Sequence, residues 1–389
     1  MGLLFALVGA GASAIIARCI GAGDLTQARK ACSQAMALAV VAGLMATGAV
    51  LFWAPLVTDL IRLGPATAAT AVRFIKIDSS AYWIEAVTFI GAACLRGAGN
   101  TRTPMVVLGV VNMVNIAASW LLAFGLGLGV NGIAWGTVTA RYVGGIMMIV
   151  VLLRGFGGLR CVPSLMPPER EWFKRIARIG GPAALDGTLM WCGQLVFMMI
   201  ITRSGQPAEA DTLYAAHMIG IRIESLSYLS AMAWSIAAAT LIGQNLGART
   251  PDRARRCANE AVRQSVLLLS AMGVLYLVFA PQFFRFLSED AGVIAAGVPA
   301  LRALALVQPA LAVLIVYIGS LRGAGDTAFP MIFTVIGMLL IRVPVAYFCG
   351  VVLKGGLIGA WMGMCADLAI RAVLMTLRFR TGRWATVRV

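Results

Sequence analysis

The feature that most constrains this chain is an eleven-residue motif that occurs twice. It reads LRGAGNTRTPM from Leu95 to Met105 and LRGAGDTAFPM from Leu321 to Met331, with eight of the eleven positions identical and an offset of 226 residues. The same offset aligns further landmarks without a gap: Gly21 with Gly247, Arg29 with Arg255, Pro55 with Pro281, and Trp135 with Trp361. Agreement at one spacing over more than a hundred residues predicts two homologous halves.

Each copy of the motif predicts a tight connection, here called an elbow, between two membrane-spanning helices. An arginine ends the preceding apolar run, where a cation is favourable at a helix C-terminus, and the glycines allow the positive φ that terminates the helix. Thr101 and Thr327 can cap the next helix, and a proline then falls in its first turn. A structural connection without chemistry is the simplest interpretation. The elbow residues are Arg96, Gly97, Gly99 and Pro104 in the first copy, and Arg322, Gly323, Gly325, Asp326 and Pro330 in the second.

Composition excludes an ordinary soluble domain. Hydrophobic residues make up 60% of the chain, charged residues make up only 12%, and the mean hydropathy is +0.88. A soluble domain carries about 25% charged residues. The net charge of +16 therefore marks loops that face the cytoplasm, and we expect no nucleic-acid partner. Eight scattered cysteines and a single histidine, His217, predict neither disulfides nor a metal site.

Apolar runs of about 20 residues predict eleven membrane-spanning helices, and hence an all-α polytopic membrane protein. Arginine-rich loops alternate with arginine-poor loops, so the positive-inside rule places both elbows and the C-terminus in the cytoplasm. The predicted spans are approximately 1–20, 34–57, 74–95, 104–126, 130–153, 181–203, 212–243, 257–281, 292–321, 329–352 and 356–378.

The duplication divides the chain into an N-terminal lobe (1–160), a cytoplasmic linker (161–175) and a C-terminal lobe (176–389). The first lobe has five predicted spans and the second has six, and residue 1 aligns with Ser227 inside a helix. We therefore expect an ancestor with six plus six helices and a chain that lacks the first of them.

Several segments resemble the multidrug and toxic compound extrusion (MATE) family of bacteria. They are the two elbows, the paired segments GASAIIARCIGAGDLTQAR and AAATLIGQNLGARTPDRAR, and the closing RFRTGRW. The resemblance covers essentially the whole chain. It implies twelve helices in two six-helix lobes, a central cavity that alternates between the two membrane faces, and export of organic, often cationic, drugs driven by inward flow of Na⁺ or H⁺. The residues by themselves predict only a two-lobe transporter.

Intramembrane carboxylates are the candidate coupling residues, because a charge in hydrocarbon costs roughly 2.5 to 3.5 kcal/mol even on the gentler scale. Asp186 lies one turn beyond Pro182 and matches an acidic residue that the MATE family often carries in its seventh helix. Glu224 lies seven residues after His217 on nearly the same helix face, and the two could pass a proton. A purely structural hydrogen bond is the alternative for each of them.

Glu85 is a further coupling candidate. It lies seven residues after Asp78 on one helix and could face the cavity, whereas we expect Asp78 to pair with Arg73 or Lys76. Its counterpart in the second half is Leu311, so the duplication does not support it.

The remaining intramembrane charges favour structural roles. Asp367 and Arg371 are four residues apart on the last helix and predict a self-neutralising pair. Arg141 and Arg342 pair with carboxylates or snorkel. The first-helix acid of the family would fall before residue 1, and the tenth-helix segment 292–321 contains no Asp or Glu. Coupling would therefore depend on Asp186 and Glu224.

Methionine and aromatic residues are candidates for the substrate cavity, because thioethers and π-faces suit varied organic cations. Ordinary helix packing is the alternative for each position. The candidates are Met190, Trp191, Phe197, Met198, Tyr228 and Trp234.

Together these features predict a monomeric, secondary-active multidrug antiporter in a bacterial inner membrane, with Na⁺ or H⁺ as coupling ion and no other cofactor. Its partners would be small organic substrates and membrane lipid. A flippase for lipid-linked oligosaccharides with a related fold would show a basic cavity. An intramembrane enzyme is disfavoured because no GxSxG or HExxH motif is present. An inactive truncated transporter is the last alternative.

Overall fold

The computed structural model describes residues 2–60 and 64–387. The first six helices are α1 (Gly2–Gly21), α2 (Leu25–Leu60), α3 (Pro65–Ser79), α4 (Tyr82–Gly97), α5 (Arg102–Trp120) and α6 (Gly129–Arg154). The next eight are α7 (Arg170–Thr202), α8 (Ala210–Gly247), α9 (Pro251–Leu287), α10 (Ala291–Leu306), α11 (Gln308–Gly323), α12 (Ala328–Val335), α13 (Val343–Ala346) and α14 (Gly356–Arg380). Three π-helical turns occupy Leu121–Gly125, Ile336–Arg342 and Tyr347–Val352, and short 3₁₀ turns occupy Pro163–Leu165, Pro207–Glu209 and Arg383–Thr386.

The duplicated sequence folds into duplicated elements. Adding 226 to the bounds of α4 gives residues 308–323, which are the bounds of α11. The same shift moves the end of α1 onto the end of α8 and the end of α6 onto the end of α14. Even the π-helical turn that follows α5 moves onto the start of the turn at Tyr347–Val352. The prediction of two homologous helical halves is therefore confirmed.

The described part of the chain contains nine helices that are long and apolar enough to cross a membrane. A tenth span results if α10 and α11, which meet at an angle of 60°, are taken together. The predicted span 74–95 corresponds to the end of α3 and most of α4, which are the counterparts of that bent pair. The structure is thus an all-α polytopic membrane protein, as predicted.

The chain forms two compact units, and the division between them falls after Ala184, inside α7. The first unit has a core that includes Ile15, Ile90 and Met148. The core of the second unit is built on large side chains such as Trp361, which is fully buried. Each unit therefore buries its own apolar surface.

The predicted linker packs against α2. The side-chain amide of Gln34 donates to the carbonyl oxygens of Leu165 (2.8 Å) and Pro167 (2.7 Å) and accepts from the backbone N–H of Glu169 (3.0 Å). Lys30 forms an ion pair with the carboxylate of Glu169 at 2.9 Å. These contacts fix the linker on the first unit, and α7 begins within it at Arg170.

The glycines of each elbow have two different tasks. Gly99 and Gly325 have φ values of +89° and +88°, as predicted for residues that end a helix. The same role was predicted for Gly97 and Gly323, and this is wrong, because they are the last helical residues of α4 and α11. A β-carbon there would collide with the backbone of α1 or α8, so these two glycines allow the helices to pack closely.

Asn100, rather than Thr101, caps α5. Its Oδ1 accepts from the backbone N–H of Thr103 (3.0 Å), and its Nδ2 donates to Thr103 Oγ1 (2.7 Å). Thr101 and Thr327 occupy the N-cap positions of α5 and α12, but neither side chain makes a capping hydrogen bond.

Candidate functional site

Three carboxylates and three guanidinium groups in the helices of the second unit are here called the charged network; all are buried except Arg322, which is half-buried. They lie on α7, α8, α11 and α14 and at the end of the π-helical turn Ile336–Arg342. When all six groups are ionised, the network is neutral. Its members are Asp186, Glu224, Asp367, Arg322, Arg342 and Arg371.

Asp367 lies between two arginines. Arg371 Nε is 2.5 Å from Asp367 Oδ1, and Arg342 Nη2 is 2.7 Å from Asp367 Oδ2. The predicted pair of Asp367 and Arg371 is confirmed, as is the pairing of Arg342 with a carboxylate. Because one carboxylate faces two buried cations, this triad carries a surplus positive charge.

Asp186 forms an ion pair with Arg322 across α7 and α11. Only one oxygen of Asp186 and one nitrogen of Arg322 take part, through Oδ2 and Nη2. Asp186 Oδ1 and Arg322 Nε are buried and have no hydrogen-bond partner within the described residues. This pair is therefore only partly satisfied, and its two members have capacity to accept another partner.

Glu224 is the carboxyl group of the network without a direct counter-ion. Glu224 is 9% exposed, and within the described residues no ion pair involves its carboxylate. Arg342 attracts it electrostatically without forming a salt bridge. The surplus positive charge of the triad and the negative charge of Glu224 thus balance each other at longer range.

His217 connects three helices. Trp361 Nε1 donates to His217 Nδ1 at 3.2 Å, and the side-chain amide of Gln194 lies 3.2 Å from His217 Nε2. The imidazole also packs edge-on against Phe197, with ring centroids 5.7 Å apart. An imidazole that accepts at Nδ1 in this way is neutral, with its hydrogen on Nε2. The contacts match the structural hydrogen-bond alternative, and no hydrogen bond joins His217 to Glu224 in the described residues.

Two of the candidate cavity residues lie beside the charged network. Tyr228 is 43% exposed and interacts electrostatically with Asp186, Arg322 and Glu224. Met190 lies one turn after Asp186 on α7, and its sulfur is 3.8 Å from Arg371 Nη1. A π-face and a thioether are thus placed next to these charges.

The other four candidates differ in burial, and one of them, Phe197, also borders the charged network. Phe197 is fully buried, with the guanidinium of Arg342 5.7 Å from its ring centroid. Trp191 is 76% exposed, and Met198 is half-buried. Trp234 lines a groove between α8 and α9. In the described part of the chain, none of these four side chains forms a hydrogen bond, an ion pair or a ring contact with Glu224.

Glu85 belongs to a separate cluster in the first unit. Arg141 of α6 lies between two carboxylates, with Nε 3.3 Å from Glu85 Oε2 and Nη1 2.9 Å from Asp78 Oδ1. Tyr82 donates to Asp78 Oδ2 at 3.0 Å. The predicted pairing of Asp78 with Arg73 or Lys76 is wrong, because α6 packs against α3 and supplies Arg141 instead.

The closing segment RFRTGRW completes the second elbow. Arg378 donates through Nε (2.9 Å) and Nη2 (2.7 Å) to Asp326 Oδ2, and its guanidinium lies 3.6 Å from the ring centroid of Phe329. Phe379 stacks on Trp384 with centroids 4.7 Å apart. Sequence reasoning did not find the Asp326 to Arg378 pair. The one sign of this ion pair in the sequence is that Asp326 occupies the position at which the first elbow has the neutral Asn100.

The duplicated helical bundle, its many apolar helices and the buried charges of its second unit define a polytopic membrane transporter. The sequence profile of the MatE family matches residues 1–121 and 182–348. The chain belongs to the MatE family.

Relatives and solved structures agree with this assignment. A probable multidrug resistance protein NorM from Thermotoga maritima is 33% identical over 96% of this chain and 80% of its own length. The multidrug resistance protein PmpM of Pseudomonas aeruginosa is 25% identical over 94% and 78%, respectively. The fold matches a crystal structure of MATE in complex with MaL6, with a TM-score of 0.92 and 21% identity over 99% of this chain and 86% of that chain.

Proposed function

We propose that this protein is a secondary-active multidrug antiporter that exports organic cations and takes up protons in exchange. One observation carries the choice of the coupling ion: among the described residues, Glu224 is a buried carboxyl group without a direct counter-ion, whereas Asp186 and Asp367 are paired. Relatives named as multidrug resistance proteins support the substrate class. We place the protein in a bacterial inner membrane, as a monomer with its C-terminus in the cytoplasm.

The mechanism follows from the charge of the network. A carboxylate that is buried without a counter-ion costs free energy, and uptake of a proton removes that cost. With Glu224 protonated, the network carries a net charge of one positive unit and repels an organic cation. With Glu224 ionised, the network is neutral and the repulsion is lost. Proton and substrate cation therefore exclude each other, which is the requirement for exchange.

Asp186 and Arg322 would contribute a second, local response. A cation near the unpaired Oδ1 of Asp186 competes with Arg322 for that carboxylate. Arg322 belongs to the elbow between α11 and α12. Its release from Asp186 would therefore affect the connection between these two helices. Tyr228 and Met190 would offer the substrate a π-face and a sulfur beside these charges.

A flippase for lipid-linked oligosaccharides is the alternative that this charge pattern disfavours. A flippase carries anionic headgroups and would use a surplus of basic residues to bind them. In the network, by contrast, the number of carboxylates equals the number of arginines. Only protonation of Glu224 makes the network basic.

Transport in proteoliposomes tests the proposal. Efflux of a fluorescent organic cation is measured while a pH gradient and a Na⁺ gradient are imposed in separate experiments. We expect the pH gradient alone to drive exchange, Glu224→Gln to abolish the response, and Asp186→Asn to weaken or abolish it. The matched control is Glu260→Gln, since Glu260 is an exposed carboxylate that pairs with Arg263 outside the network.

Each other outcome contradicts part of the proposal. Exchange driven by Na⁺ alone would overturn the choice of ion. Normal proton-driven exchange in Glu224→Gln would overturn the assignment of the site. Movement of a lipid-linked sugar without movement of the dye would favour the flippase, and no movement of either would favour an inactive transporter.

A further inference from the structure

An apolar groove lies on the second unit between α9, α11 and α14. It has a volume of about 490 Å³. Its lining includes Val266 on α9, Pro309 and Val313 on α11, and Val373 and Leu377 on α14. None of these residues belongs to the charged network. The groove is therefore a separate feature that the transport mechanism does not use.

One end of the groove is basic. Arg380, the last residue of α14, lines the groove itself. Tyr317 of α11 interacts electrostatically with both Arg380 and Arg255, so both arginines lie near its hydroxyl group. The hydroxyl of Tyr317 donates to Asn259 Oδ1 at 3.3 Å. Polar and cationic groups thus converge where the apolar walls end.

The two arginines are available to a ligand. Both are exposed, and within the described residues neither takes part in an ion pair. Arg378, only two residues before Arg380, is by contrast held by Asp326. Arg255 and Arg380 therefore present uncompensated positive charge at the end of a membrane-crossing helix, which is the level of lipid headgroups.

We propose that this groove binds an anionic phospholipid of the surrounding membrane, with one acyl chain along the apolar walls and the phosphate between Arg255 and Arg380. Charge complementarity decides the occupant. The phosphodiester of a phospholipid without an accompanying cation carries one negative charge and offsets one of the two positive charges, whereas the ammonium of a zwitterionic headgroup adds a positive charge beside them. The apolar walls suit an acyl chain, so a free phosphate compound satisfies only one end of the site. The site does not depend on the direction of transport or on the coupling ion.

Fluorescence quenching by brominated lipid tests this proposal. A reporter tryptophan is introduced by Val373→Trp, because Val373 is 57% exposed and lines the groove. The full-length protein in detergent is titrated with phosphatidylglycerol or phosphatidylcholine that carry the same brominated acyl chains. The quenching of the reporter tryptophan is obtained by subtracting the quenching measured for the protein without the Val373→Trp substitution, which has nine tryptophans of its own. We expect half-maximal quenching at a several-fold lower mole fraction of phosphatidylglycerol than of phosphatidylcholine.

The arginine variants show whether the preference comes from this site. Arg255→Gln and Arg380→Gln should each reduce the preference, and together they should remove it. Arg102→Gln, which removes an exposed arginine of the first unit, should leave the preference unchanged. Size-exclusion chromatography confirms that each variant is folded.

Three results would overturn the proposal. These are equal quenching by the two lipids, a preference that survives loss of both arginines, and displacement of phosphatidylglycerol by glycerol phosphate without an acyl chain. The last result would assign the basic end to a free phosphate compound instead of a lipid.

Discussion

At the scale of single residues, Asp367 is the carboxylate on which the packing of the second unit depends most. It is fully buried and balances Arg342 and Arg371 together. Removing one partner of a buried ion pair costs about 3 to 5 kcal/mol, because the remaining charge is left uncompensated. Asp367→Asn leaves two such charges. We therefore expect a clear decrease in the thermal unfolding temperature in detergent.

The comparison with an exposed ion pair is the control for that prediction. Glu260→Gln removes an exposed carboxylate of the same unit, so it should leave the unfolding temperature unchanged. Arg342→Gln should have a smaller effect than Asp367→Asn, since the pair of Asp367 with Arg371 persists. An unaltered unfolding temperature in Asp367→Asn would show that the triad does not hold these helices together.

The sequence could identify the buried charges but not most of their partners. Asp186, Glu224 and Asp367 stand out because each interrupts an apolar run. The pair of Asp367 with Arg371 was predictable because its members are four residues apart on one helix. Arg322 is 136 residues from Asp186, and its repetition as Arg96 made it look purely structural. Long-range pairing depends on helix packing, which the local pattern does not contain.

At the scale of secondary structure, the elbow glycines allow pairs of helices to approach each other. A β-carbon on Gly323 would collide with the backbone oxygen of Ala239 in α8. Overpacking of a tightly packed core costs about 1 to 3 kcal/mol. We therefore expect Gly323→Ala to lower the unfolding temperature. Gly109→Ala is the control, because a β-carbon on Gly109 meets nothing within 4 Å. Equal unfolding temperatures in the two variants would contradict the close-packing role.

The linker should behave as a packed segment. Cys161 at its start is 5% exposed, and burial raises the pKa of its thiol. Because the thiolate is the form that reacts, Cys161 should be alkylated slowly at neutral pH and faster as the pH rises. Peptide mass spectrometry after treatment with iodoacetamide measures the rate. Ser164→Cys provides an exposed thiol in the same linker for comparison. Equal rates at both positions would mean that the linker does not stay on α2.

Helix boundaries followed from the duplication more closely than from hydropathy. The offset of 226 residues relates the bounds of α4 and α11 without a shift. The π-helical turns and the 60° angle between α10 and α11 were not predicted. An apolar run has the same hydropathy whether its backbone is straight, bent or locally widened, so these features depend on packing.

At the scale of the whole molecule, the two halves share their helices but not their charges. The offset places Asp367 on Arg141 and Glu85 on Leu311. The first unit has two carboxylates around one arginine, whereas the second has a network of three and three. Duplication therefore explains the backbone, and later divergence of side chains gave the second half the group that we propose to carry the proton.

The central claim is that a proton on Glu224 and an organic cation exclude each other. Addition of a saturating organic cation to the purified protein in weakly buffered solution near neutral pH should release protons, up to one per molecule. Glu224→Gln, which keeps the network at one net positive charge, should bind the cation more weakly and release no proton, and Glu260→Gln should behave like the unmodified protein. Binding of the cation to the unmodified protein without proton release would contradict the account.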